Sequence, residues 1–95
     1  MKNVEIKIGE KTAMGLEIPL NNAVLVMAIG KKGFVMCGYL NIDAAEKMGD
    51  CACVVKGIKN VDELLAGEVV TLTSHAKKLG IELGMTGKKA LEKLV

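Results

Sequence analysis

Arginine and tryptophan are absent from this sequence, and phenylalanine, tyrosine, histidine and proline occur once each. Without arginine the chain lacks the planar fork that reads guanine edges or grips a phosphate on two prongs. Its thirteen basic residues are all lysine and, set against eleven acidic ones, leave a formal net charge of +2. Only Phe34 and Tyr39 carry rings on which a base could stack, so single-strand binding lacks its usual platforms. No nucleic-acid partner is expected. Long apolar runs are missing as well. The longest extends from Ala23 to Ile29, far short of the roughly 20 residues that span a bilayer. Val4, Ile6 and Ile8 alternate with Glu5 and Lys7, unlike the continuous apolar stretch of a secretory leader. The three cysteines, an odd number, fit a reducing compartment better than a disulfide framework. A cytoplasmic protein that avoids membranes is expected.

What the chain has in excess is apolar material. Hydrophobic residues make up 51% of its 95 positions. A chain this short hides only roughly 60–65% of the surface that its unfolded form exposes. Soluble proteins avoid large exposed apolar patches. The surplus therefore points to a homo-oligomer, in which another subunit covers what one chain cannot.

Hydrophobic periodicity predicts a single α+β domain over residues 1–95, mostly β in residues 1–38 and mixed in residues 39–95. Residues 3–20 read as a hairpin. Val4, Ile6 and Ile8 lie on one face, Gly9, Glu10 and Lys11 turn the chain, and Met14, Leu16, Ile18 and Leu20 resume a period of two, leaving one side apolar and the other mixed. A second hairpin, residues 24–29 and 34–37 around Gly30 and Gly33, is apolar without alternation and so has both faces buried. A short helix is expected from Asn41 to Gly49, a buried strand from Cys51 to Val55, and a helix capped by Asn60 with Glu63 at the capping-box position and Gly67 as its stop. Residues 69–72 fit a strand or a helix entry equally. Helical spacing then turns Leu72, Ala76 and Leu79 inward, and Thr86 opens a C-terminal helix burying Ala90, Leu91 and Leu94. In all, about five strands, arranged as N-terminal antiparallel hairpins, and three to four short helices mainly in the C-terminal half are predicted.

Four constellations have functional potential, each beside a plainer structural reading. Cys37, Cys51 and Cys53 could supply thiolates, but Cys-x-Cys lacks the turn of a zinc half-site, no fourth ligand is evident, and free cysteine packs well as a small hydrophobe. No metal and no cofactor is expected. His75 has no identifiable carboxylate or nucleophile partner and reads as a partly buried structural residue. The segment Met36-Cys37-Gly38-Tyr39-Leu40-Asn41 lies where a strand gives way to a helix, a position that often carries ligands in α/β arrangements. There Gly38 permits close approach, and Tyr39 and Asn41 offer polar tips; the plainer reading is a turn glycine, a half-buried tyrosine and an asparagine helix cap. Thr86, Gly87 and Lys88 open a helix whose free N–H groups and positive dipole end attract a small anionic ligand. The plainer reading there is a threonine cap followed by solvated lysines, and the spacing is not that of a P-loop.

Two segments, residues 33–41 and residues 79–91, carry a resemblance. Their glycines, with Met36-Cys37-Gly38 in the first and Gly84-Met85-Thr86-Gly87 in the second, fall in the order seen in the YunC-like family, small bacterial and archaeal proteins built on a domain of unknown function. The chain resembles that family over most of its length. The resemblance implies an N-terminal β region that mediates tetramerisation and a C-terminal part of mixed helices and strands, and it implies no activity. The combined expectation is a homotetrameric binding or assembly module. The alternative is a small-molecule enzyme whose site forms between subunits from Cys37, Tyr39, Asn41 and His75, with the Thr86 helix end holding an anionic group.

Overall fold

A computed structural model describes residues 1–95. Alternating and apolar segments in the first third of the chain become four strands, β1 (Lys2–Ile8), β2 (Lys11–Pro19), β3 (Val24–Ile29) and β4 (Phe34–Met36). The remainder supplies α1 (Ile42–Met48), β5 (Ala52–Val55), α2 (Val61–Ala66), β6 (Val69–Leu72), α3 (Ser74–Lys78) and α4 (Gly87–Leu94). All six strands join one sheet in chain order, and every neighbouring pair is antiparallel except β4 and β5. Parallel neighbours need a crossover, and α1 provides it. The architecture is α+β, with the helices mainly in the C-terminal half. The strands number six rather than about five, because residues 69–72 form β6 along the outer side of β5.

The helix ends follow the local chemistry of the sequence. Asn41 Oδ1 accepts from the N–H groups of Asp43 at 2.8 Å and Ala44 at 3.3 Å, while Gly49 closes α1 in the left-handed region at φ 78°. Asn60 Oδ1 accepts from Glu63 N at 2.8 Å. The Glu63 carboxylate reaches back to Lys59 N at 2.8 Å, one residue before the cap, rather than to Asn60 itself. The first N–H of α2 donates to Glu17 Oε2 on β2 at 2.8 Å, so a carboxylate meets the positive end of that helix. Glu46 on α1 accepts from both the N–H and the hydroxyl of Ser74, at 2.8 and 2.6 Å, which ties α1 to α3. Those two hydrogen bonds hold its carboxyl below the usual glutamate range, with a smaller contribution from the neighbouring charges of His75 and Lys78.

The two sheet faces are unequally covered. On one, Ile6, Val26, Ala28, Val35, Cys53 and Val55 pack with α2 and α4 into the main core, where Leu64, Ile81, Leu91 and Leu94 are fully buried. On the other, α1 shelters a smaller cluster, Met36, Ala52 and Val54 around Ala45, with Met27 and Phe34 half-buried at its edge. Strand register corrects the expectation of one apolar side to the first hairpin. Ile6 pairs with Ala13 and Glu5 with Met14, so the large apolar residues of β1 and β2 lie on opposite faces. The β2 positions that share the core face with Val4 and Ile6 are the small Ala13 and Gly15, which leave room for α2. A Cβ on Gly15 would sit 2.9 Å from a Val61 methyl. Two further expectations are corrected. Leu79 is 37% exposed because it caps the end of α3, ahead of the turn that carries Ile81 into the core, and His75 is exposed rather than partly buried.

Candidate functional site

A cleft of about 890 Å³ opens where the chain leaves β4 and β5. Both strands run the same way, so their carboxyl ends emerge side by side, and residues 37–39 and 56–59 form adjoining walls. The turn between β2 and β3 closes the third side. In open α/β sheets the crevice beyond the carboxyl ends of parallel strands is the usual location for a ligand. The volume lies within the roughly 300–1,000 Å³ typical of small-molecule pockets.

Cys37, Gly38 and Tyr39 all line this cleft. Cys37 is 3% exposed and held against β3: its N–H donates to the Val26 carbonyl at 3.1 Å, and Sγ accepts from Val26 N–H at 3.4 Å. Its thiol is thus part of the wall's hydrogen bonding. Gly38 is exposed, and a side chain there would lie against the stem of Lys56, with a Cβ 3.3 Å from Lys56 Cγ. Tyr39 is 60% exposed at the mouth. Two lysines, Lys56 and Lys59, line the same space, and no acidic residue does.

The remaining candidates lie elsewhere. Asn41 caps α1 and borders a shallower, methionine-lined groove with Met27, Met36 and Met48. Thr86, Gly87 and Lys88 sit at the start of α4 against α2 and β6, outside the cleft. There Thr86 Oγ1 accepts from Lys89 N at 3.2 Å, and the N–H of Gly87 donates to the Gly67 carbonyl at 2.8 Å. Gly87 is buried, and a Cβ on it would come within 2.1 Å of the Leu64 carbonyl oxygen. Its lack of a side chain therefore lets α4 approach α2 closely. His75 stands on α3, outside the cleft. Cys51 and Cys53 pack on the core side of the sheet with Cys37, and no grouping of three His, Cys, Asp or Glu side chains is arranged to hold a metal ion. Burial pushes the Cys53 thiol up to about 12, away from any nucleophilic role.

The lysine wall and the β2–β3 turn are missing from the residues singled out in the sequence. A signal was available. Residues 34–55 read strand, helix, strand, and a crossover of that kind between adjacent strands would have placed the loops after Met36 and after Val55 together.

The family model for a domain of unknown function, DUF1805, matches residues 36–94, which takes in both loops at the carboxyl ends but leaves β1 to β3 outside. The chain belongs to the DUF1805 family. The Bacillus subtilis relative YunC, described as an uncharacterized protein, is 31% identical over 88 residues, covering 88% of this chain and 85% of that one. A solved structure of a protein of unknown function from Thermoplasma acidophilum superposes with a TM-score of 0.94 at 37% identity, covering 99% of this chain and 92% of that one. That structural likeness takes in the whole chain, including the hairpins outside residues 36–94.

Proposed function

We propose that the protein works in the cytoplasm as a homotetrameric binding and assembly module, and that the sheet face left open by the helices is its subunit interface. The observation that carries this reading is the composition of that face. Met14, Leu16, Ile18 and Ile29 project from two adjacent strands on the side away from α2 and α4, and Met27 and Phe34 continue the strip to the edge of the cluster under α1. Met14 is 50% exposed, and Leu16, Ile18 and Ile29 join neither core cluster of the chain. A contiguous apolar surface of this kind on a small protein marks an interaction site. A second copy is the occupant that fits. Glu5 and Lys7 on β1 border the strip on the same face, so a copy docked in the opposite sense brings acid to base across the rim; such a two-fold contact makes a dimer, and two dimers pairing through a second contact make the tetramer. The same strands are those to which the family resemblance assigns tetramerisation.

Leu16→Glu tests the reading, because Leu16 contributes to neither core cluster. Size-exclusion chromatography with light scattering is expected to show the variant at a lower mass than the parent protein, with its far-ultraviolet circular dichroism unchanged. A variant that keeps the mass of the parent protein would refute the assigned interface.

A further inference from the structure

We infer that the cleft at the carboxyl ends of β4 and β5 binds a small molecule with a short apolar body and an anionic head, a carboxylate or a phosphate monoester, and that Lys56 and Lys59 hold the head. This goes beyond assembly and does not depend on it, since every wall of the cleft comes from one chain.

Three observations converge on this ligand class. The first is topological. The only parallel pair in the sheet opens at its carboxyl end directly into the cleft of about 890 Å³, and both emerging loops line it. The second is electrostatic. The two charged residues of the lining are both lysines. In a chain of net charge +2, a concave surface with two cations and no carboxylate attracts anions and repels cations. Gly57 adds to this. It lies between the lysines in the left-handed region at φ 73°, with open space where a side chain would be, so a ligand can approach the backbone there. The third is apolar. Leu20 is 42% exposed, and Val24 and Ile58 are half-buried, all lining the same space. A purely hydrophilic anion would leave that wall wet, whereas an attached alkyl or aryl body would cover it. Tyr39 at the mouth offers a hydroxyl to the head and a ring edge to the body.

The helix end at Thr86 and Lys88 carries no comparable site. Its cap hydroxyl and the Gly87 N–H are already engaged within the chain, and none of its residues lines the cleft.

Amide chemical-shift titration of the full chain tests the inference, with hexanoate and hexyl phosphate as probes and hexanol, hexylammonium and inorganic phosphate as controls. The expected result is saturable movement of the Gly38, Tyr39, Gly57 and Ile58 resonances with at least one of the two amphipathic anions. The tighter of the two identifies the head group. The controls are expected to bind at least roughly tenfold more weakly, and Lys56→Gln/Lys59→Gln to lose roughly tenfold in affinity, in line with two partly solvated charge contacts. Both lysines are exposed, so the variant is expected to melt with the parent protein. Saturation by hexylammonium or hexanol as tight as by the anions, an undiminished affinity in the lysine variant, or no saturable shift with either anion would overturn it. None of these results would bear on the oligomeric state.

Discussion

Thr73 concentrates more hydrogen bonding in one side chain than any other residue. It is 1% exposed, its hydroxyl donates to the Asp50 carbonyl at 2.7 Å, and it accepts from Ala52 N–H at 3.1 Å and Ala76 N–H at 3.2 Å. One atom thereby joins the approach to β5, the end of β6 and the start of α3. Thr73→Val keeps the shape but strands two buried N–H groups and the Asp50 carbonyl, so it is expected to cost about 1–3 kcal/mol or more in urea unfolding, with Thr73→Ser close to the parent protein. An undiminished midpoint for the valine variant would show that water replaces the hydroxyl. Cys53 makes its contribution through protonation. Its thiol is raised from 9.0 to about 12 by burial. The unfolded chain therefore releases that proton first, so stability is intact below pH 9 and declines as pH rises from there toward about 12. Denaturation midpoints across that range should fall less steeply in Cys53→Ala than in the parent protein. Parallel curves would remove the thiol as the cause.

At the scale of elements, α2 and α4 are the pair that seals the main core, and their approach depends on Gly87. With a Cβ 2.1 Å from the Leu64 carbonyl oxygen, Gly87→Ala must push backbone away from backbone. A loss of roughly 1–3 kcal/mol is expected, measured as a lowered melting temperature. Wild-type melting would instead assign Gly87 to something other than packing. The helices themselves were legible because their signals are local. Asn41 and Gly49 bracket α1, Asn60 and Gly67 bracket α2, and Thr86 opens α4 within one residue of each expected boundary. Less was legible where the decisive partner is distant. Residues 69–72 are too short to declare a period and become a strand only by pairing with β5. The facing of the first hairpin depended on register, which the turn at Gly9 and Glu10 fixes and which composition alone does not reveal. The cleft belongs to the same class. Cys37, Gly38 and Tyr39 stood out at a strand end, but the loop that lies beside them comes from a strand made adjacent by a parallel crossover.

For the whole molecule, the governing fact is asymmetry between the two sides of one sheet. Two helices close one side. On the other, α1 covers the β4–β5 end and leaves Met14, Leu16, Ile18 and Ile29 outside either core cluster. The 51% hydrophobic composition and the doubly apolar β3 pointed to this surplus, and register locates it on β2, β3 and β4. Covering that face by copies of the chain is the central claim, and mass in solution tests it most directly. Sedimentation equilibrium of the unmodified protein at micromolar concentration is predicted to give four times the chain mass of 10.1 kDa. A single stable species of one chain mass would contradict it.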